Sequence, residues 1–270
     1  MAMTARLVAE RTLQVLGLFT LEKPVWNAEE IALAIGVATS SAYRLLGALT
    51  AAGLVEAEAT GRFVLGSAIV QLDRQIRLTD PLLQAARPIM SELVGFAPLG
   101  STILLCRAFR DSVLCVHQVT SGDPSPVSYE RGRPRPLFHG ATSKIILAYT
   151  APRILRRFHA SHAEEIGRAG LGEDWSTFTK NLKLIRKTGV MVTRGEVDPG
   201  RCGIAAAVLN SDRKALGSIS YVLTESEAKP RLVSRLSTLI QSAAREIEAA
   251  MAGNGGAVPV SVVFEDHALA

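Results

Sequence analysis

The sequence predicts an α+β protein in two parts: three short helices closed by a two-stranded hairpin, then a connecting helix leading into a larger domain where strands and helices mix. Three observations carry this. Between residues 7 and 52 apolar residues recur at helical spacing in three runs, separated by glycine and proline. Residues 54 to 65 form two short apolar runs around Thr60-Gly61. Beyond residue 100, β-branched runs and amphipathic runs follow one another in mixed order.

The first helix is expected from Leu7 to Phe19, where Leu7, Val8, Val15, Leu16 and Phe19 share a spacing and Pro24 lies beyond. Asn27 stands three residues before Glu30, with Ile31, Leu33 and Ile35 following. This is an Asn variant of the capping box, and it starts a second helix that stops at Gly36. After Gly36-Val37-Ala38, a third helix over Thr39 to Ala52 sets Ala42, Leu45, Leu46 and Leu49 on one face and Ser40, Ser41, Arg44 and Ala48 on another, with Gly53 ending it.

Two helices about a short glycine turn make a helix-turn-helix, whose second helix can lie in the DNA major groove. Thr39, Ser40 and Ser41 can approach phosphates or base edges, Arg44 can reach a phosphate or a guanine, and Tyr43 offers a ring to a sugar or a hydroxyl to phosphate. The same pattern also fits a plain helical hairpin with a hydroxyl N-cap. The hairpin of Leu54 to Glu58 and Arg62 to Leu65 reads as a wing. Arg62 at its tip can enter a minor groove or stand solvated.

Ser67 to Leu78 reads as a linker helix with Ile69, Leu72 and Ile76 on a stripe, broken before Pro81. Leu82 to Val94 is helical but contains Pro88, which predicts a kink or a division. Ser101 to Cys106 and Val113 to Val119 form a hairpin around Arg110-Asp111-Ser112. Further strands are expected at Gly189 to Thr193, Ile204 to Asn210 and Ala215 to Leu223. Helices are expected at Thr142 to Tyr149, Pro152 to His159, Trp175 to Thr188 and Lys229 to Met251. The expected divisions are 1–66, a 67–80 linker, 81–252 and a flexible 253–270 tail, whose Val260 to Phe264 run can form a stray strand.

The 270 residues are 48% hydrophobic and 20% charged, an ordinary globular composition. The longest apolar stretches, such as Ile145 to Tyr149, fall far short of the roughly 20 residues of a membrane span. The opening MAMTARLVAERT holds no signal core, so a cytoplasmic protein without a membrane partner is expected. Cys106, Cys115 and Cys202 lack metal-ligand spacing and read as reduced structural thiols. The net charge is +5, but residues 1–80 carry seven Lys and Arg against eight Asp and Glu, a balance of −1. Bulk charge therefore gives no argument for DNA. The excess lies at Arg131, Arg133, Arg135, Lys144, Arg153, Arg156 and Arg157, which read as a solvated face, an anion-facing surface or a subunit contact.

No catalytic constellation assembles. His159 and His162 lack the Glu or cysteine pair of a zinc site. Lys187-Thr188-Gly189 matches one β-lactamase box, but no S-x-x-K precedes it, and Ser211 to Lys214 follows it in the wrong order. No phosphate-binding glycine loop is present. Cys106, Cys115 and His117 fall in expected strands as core. The reading is a non-enzyme with no cofactor and no metal.

Taken together, Arg11-Thr12-Leu13-Gln14-Val15-Leu16, Ala28-Glu29-Glu30-Ile31-Ala32, Gly36-Val37 through Ser40-Ser41-Ala42-Tyr43-Arg44-Leu45-Leu46, Gly53-Leu54-Val55 and Gly61-Arg62-Phe63-Val64-Leu65-Gly66 resemble the IclR family of bacterial regulators. Val64 departs from it, since the family often carries a second wing arginine there. The resemblance continues through Pro136-Leu137-Phe138-His139-Gly140-Ala141-Thr142-Ser143-Lys144, the acidic loop Gly195-Glu196-Val197-Asp198-Pro199-Gly200 and Gly217-Ser218-Ile219-Ser220. It implies a winged helix-turn-helix joined by a linker helix to a GAF-like effector-binding domain.

By position, the family's effector contacts fall on Ala141, Thr142, Thr193, Gly203, Ser220 and Val222. Members sensing very small oxo-acids place an acid, a cysteine and a serine where this chain has Thr193, Gly203 and Val222. The change implies a wider, less polar pocket and a larger, partly apolar organic acid such as an aromatic one. Cys202 lies one position from the family's cysteine, so a one-residue loop shift could restore it. Gly140 to Thr142, opening a helix, present N–H groups suited to a carboxylate or to a plain cap. The implied protein is a ligand-responsive transcription regulator of a catabolic operon. Its implied partners are operator DNA, a small organic acid and copies of itself as a dimer or tetramer, joined through the exposed stripe of the first and linker helices. The alternative is a small-molecule sensor whose helix-turn-helix contacts protein.

Overall fold

A computed structural model describes residues 2–58, 60–123 and 129–253. The chain divides into two compact units between Thr79 and Asp80.

In the first unit, helix α1 (Ala2–Leu16), strand β1 (Trp26–Asn27), helices α2 (Ala28–Ile35) and α3 (Thr39–Ala51), strands β2 (Val55–Glu58) and β3 (Arg62–Leu65), and helix α4 (Ala68–Thr79) follow in order. Its core gathers Val15, Ala28, Ile31, Ala42, Leu45, Leu46, Leu49, Val55 and Phe63. Helix α1 stops three residues short of the expected Phe19. Gly17 and Leu18 turn tightly onto Gln14 and Val15, and the Trp26 indole donates to the Leu18 carbonyl at 3.0 Å. Leu18 and Phe19 thus join the core from a loop rather than from the helix. The wing gains a third strand that periodicity did not reveal: β1 pairs antiparallel with β3, placing Asn27 opposite Arg62. Two residues are too short to show a period.

The second unit is built on a six-stranded antiparallel sheet in the order β6-β5-β4-β9-β8-β7. Its strands are β4 (Thr102–Phe109), β5 (Ser112–Thr120), β6 (Pro134–Pro136), β7 (Met191–Arg194), β8 (Arg201–Leu209) and β9 (Ala215–Thr224). Helices α5 (Pro81–Leu93) and α9 (Pro230–Gly253) pack on one face, and α6 (Gly140–Ala148), α7 (Pro152–Arg168) and α8 (Trp175–Thr188) on the other. Both faces are covered, so β4, β8 and β9 read as nearly continuous apolar runs rather than alternating ones. β6 carries two prolines and sits at the edge, where a missing N–H costs no ladder bond.

Of the kink or division expected at Pro88, the division does not occur: helix α5 is continuous through it. Its inner face buries Leu82, Leu83, Ala85, Ala86, Met90 and Leu93, and this packing outweighs the roughly 3 kcal/mol intrinsic penalty of proline. The helix from Pro152 breaks at His162 (φ −135°, ψ 27°), close to its expected end at His159, and what the sequence did not show is the second helical stretch that carries α7 on to Arg168. The His162 ring stacks on Phe158 at 4.6 Å, and His159 packs between Trp175 and Phe178. The tail beyond Gly253, with its Val260 to Phe264 run, lies outside the described residues.

Candidate functional site

The helix-turn-helix is set by local hydrogen bonds. Asn27 Oδ1 accepts from Glu30 N at 2.8 Å and Glu30 Oε2 accepts from Asn27 N at 3.0 Å, which completes the capping box. Gly36 closes α2 at φ 65°, a left-handed conformation that glycine adopts without strain. Helices α2 and α3 then meet at 107°, within the about 90–120° of a helix-turn-helix.

The N-cap of α3 is Ala38, and no side chain caps it. Thr39, Ser40 and Ser41 therefore occupy the first helical turn itself, and the expected alternative of a hydroxyl N-cap is not how this helix begins. Ser40, Tyr43 and Arg44 are exposed, while Ala42, Leu45, Leu46 and Leu49 on the opposite face are buried. Arg44 Nη2 donates to Ser41 Oγ at 3.2 Å, which orients the guanidinium toward the N-terminal end of α3.

In the wing, Gly61 turns at φ 73° and Arg62 stands exposed opposite Glu58. Sequence reasoning passed over Lys23, which lines the groove between Trp26 and Arg62. Its ammonium lies 3.6 Å from the Trp26 ring centre and 2.9 Å from Glu30 Oε1. That bond, with the one from the Asn27 backbone N–H, holds the Glu30 carboxyl below the usual carboxylate range.

The effector candidates come together at the first turn of α6 and the sheet beneath it. Thr193, Gly203 and Val222 form one cross-strand row through β7, β8 and β9, and Ser220 stands opposite Ala205 in the adjacent part of the ladder. Ala141 N donates to Thr193 Oγ1 at 3.1 Å, Thr142 Oγ1 lies 2.9 Å from Ser220 Oγ, and Ser218 Oγ donates to the Thr142 carbonyl at 3.1 Å. All of these groups are paired, as buried polar atoms must be.

Gly203 does not leave the open space that its small size implied. A Cβ there would lie 3.3 Å from Ala141 Cβ and 3.4 Å from Thr193 Oγ1, so the facing side chains already fill the place of a side chain. Nor does a register shift bring Cys202 into the row. Cys202 opposes Arg194 and Leu223 and packs on the α5/α9 face.

Three further residues join the site: Lys144 and Glu196, which lie in motifs of the family resemblance but were not singled out as contacts, and Tyr129, which no sequence signal marked. Glu196 accepts from Gly140 N at 3.1 Å and pairs with Lys144 Nζ at 2.8 Å. Lys144, grouped by sequence with a basic run read mainly as a solvated face, is in fact 3% exposed and also donates to the Ala169 carbonyl at 2.7 Å. The Tyr129 hydroxyl donates to the His139 carbonyl at 3.0 Å and lies 2.8 Å from Ser143 Oγ. Burial pushes this phenol well above its ordinary value, so it remains a neutral hydrogen-bonding group. Gly140, at φ 77°, fits between Tyr129 and Val197, where a Cβ would come within 2.7 Å of Val197 Cγ2.

The profile of the IclR helix-turn-helix domain matches residues 8–59, and that of the bacterial transcriptional regulator IclR C-terminal domain matches residues 78–249. The chain belongs to the IclR family of bacterial transcriptional regulators. Among its relatives, KipR, an HTH-type transcriptional regulator of Bacillus subtilis, is 21% identical over 88% of this chain and 94% of its own. The glycerol operon regulatory protein of Streptomyces coelicolor is 25% identical over 82% of this chain and 88% of its own.

The fold matches an IclR regulator from Alicyclobacillus acidocaldarius at a TM-score of 0.75 and 21% identity, covering 90% of this chain and 98% of that one. It also matches an IclR homologue from Microbacterium hydrocarbonoxydans, solved with 4-hydroxybenzoate, at a TM-score of 0.74 and 18% identity, covering 91% of this chain and 99% of that one. As an IclR-family regulator, the chain joins a DNA-binding helix-turn-helix to a ligand-binding domain. Among the described residues no single helix is long and apolar enough to cross a membrane.

Proposed function

We propose that this regulator reads operator DNA with Thr39, Ser40, Ser41, Tyr43, Arg44 and Arg62, and is switched by a small organic acid, of the aromatic class, to control a catabolic operon in the cytoplasm. The observation that carries the DNA interface is the start of α3: with Ala38 as N-cap, three hydroxyls and the exposed Arg44 share its outward N-terminal end. The effector reading is supported by the first turn of α6, whose Gly140 and Ala141 N–H groups are met by acceptors from Glu196 and Thr193. A ligand carboxylate would take over those two donors, with Thr142, Gly203, Ser220 and Val222 lining its body. The 4-hydroxybenzoate held by the Microbacterium homologue supports an aromatic acid.

A dimer follows from the reach of one recognition helix, which reads only a few base pairs. Its joint is α1 with α4: within the first unit no residue of α4 is buried, and Val70, Leu72, Ile76 and Leu78 are exposed, as are Leu7, Val8 and Leu13 of α1.

Fluorescence anisotropy on the chain's own upstream region, run across a salt series, tests the DNA interface. Arg44→Ala is expected to weaken binding about tenfold to a hundredfold, matching roughly 1–3 kcal/mol for a base contact. Unchanged affinity would move the interface elsewhere, and indifferent binding to every sequence would favour a helix-turn-helix that contacts protein. Calorimetric titration with oxo-acid and aromatic-acid panels tests the effector. Tight binding confined to glyoxylate-sized acids would overturn the aromatic class.

A further inference from the structure

We propose that Cys106 and Cys115 form a peroxide-oxidisable dithiol that closes to an intramolecular disulfide across β4 and β5. The two residues stand directly opposite each other in the ladder, at the register shift that follows Leu105. Both thiols are free and buried, and both pack on the α6 face of the sheet. Opposed residues of an antiparallel pair have Cα atoms about 4.5–5.5 Å apart, inside the about 4.4–6.8 Å that a disulfide spans. Cys202 packs on the other face of the sheet and does not compete.

Burial, then hydrogen bonding to Cys115, pushes the Cys106 thiol well above its ordinary value, so closure is slow and waits on local opening. One flank offers that opening. Among the described residues, β5 is covered on its outer side by β6, paired only along Ser112 to Leu114, and Cys115 itself meets an isolated bridge to Arg131.

In the first step the Cys115 thiolate attacks the O–O bond of a hydroperoxide. An S–O bond forms, and the departing alkoxide or hydroxide takes up the thiol proton. The Cys106 thiolate then attacks the sulfenic sulfur, forms the S–S bond and expels hydroxide, which leaves as water with the second thiol proton. Two thiols are oxidised and one peroxide is reduced to an alcohol, or to water, and a further water. Cys106 is also the ladder partner of Ser218, whose hydroxyl bonds the Thr142 carbonyl, so closure acts on the strand beneath α6.

The test treats the full chain with hydrogen peroxide, denatures it, alkylates it with iodoacetamide and reads the mass. Three alkylations are expected before treatment, one per cysteine, and a single one afterwards, on Cys202. Trypsin, cutting at Arg107 and Arg110, should yield the Cys106 and Cys115 peptides joined, and dithiothreitol should separate them. Cys202→Ser should give the same link and Cys115→Ala none. Three surviving alkylations at a peroxide dose that oxidises the methionines would overturn the proposal. So would a disulfide that includes Cys202 or joins two chains, or a Cys115 carried on to sulfinic acid. The wild-type spectrum decides the matter even if Cys115→Ala fails to fold. It needs no effector, so failure of the effector reading leaves it intact.

Discussion

Replacing Lys144 with Met isolates the ion pair beneath the α6 turn. The lysine side chain is 3% exposed and donates to Glu196 at 2.8 Å and to the Ala169 carbonyl at 2.7 Å. Hydrogen bonds to a charged group contribute about 1.5–3 kcal/mol each, so losing both sets a gross cost of roughly 3–6 kcal/mol. Two effects reduce it. Met keeps most of the apolar stem packed and removes the cost of holding an ammonium out of water. Glu196 is 30% exposed and keeps its bond from Gly140 N, so its carboxylate rehydrates instead of remaining a buried orphan. The expected net destabilisation is about 2–3 kcal/mol.

Glu196→Gln leaves the buried ammonium without its counter-charge and should cost more, about 3–5 kcal/mol. Trp26 and Trp175 are the two tryptophans, one in each unit, so urea unfolding followed by Trp175 fluorescence in a Trp26→Phe background reports on the second unit alone. The double variant should lose at least about 1 kcal/mol less than the sum of the single losses. A loss below about 0.5 kcal/mol for Lys144→Met, or strict additivity in the double variant, would refute the coupling.

Gly203→Val should crowd Ala141 and Thr193, whose atoms lie 3.3 and 3.4 Å from the added Cβ. Aromatic-acid binding should fall at least tenfold in calorimetry while operator affinity holds, and unchanged ligand affinity would place the pocket elsewhere. Because the Glu30 carboxyl is depressed in the folded chain, chiefly by Lys23, its contribution is fully present above the unfolded value of about 4.3 and is lost as pH falls through the lower folded one. Thermal melts read from Trp26 in a Trp175→Phe background should therefore weaken on acidification below about pH 4.3. Glu30→Gln should flatten that dependence, and matching pH profiles for the two proteins would contradict it. Ile76→Asp, at a position 56% exposed in the single chain, should convert dimer to monomer in sedimentation and abolish tight operator binding. A dimer that survives would move the joint away from α4.

What the sequence determined by itself was the local part of the molecule. The capping box joins Asn27 and Glu30, three residues apart, and the left-handed stop at Gly36 needs only a missing Cβ. The buried stripe Ala42, Leu45, Leu46 and Leu49 follows from helical period alone. These interactions close within one or two turns, so their partners are visible in the order of residues. The ordered motifs then identified the family where charge, at −1 over residues 1–80, gave nothing.

Tertiary structure decided the rest. Packing on α5 overrode Pro88, and the sheet register placed Gly203 rather than Cys202 against Ala141. A contact between residues 144 and 196 buried a lysine that charge alone grouped with the arginines between 131 and 157. Each of these depends on groups about fifty residues apart or more, or on the summed burial of a whole helix face. Chain order does not encode such proximity until the sheet has closed and fixed which side chains share a face.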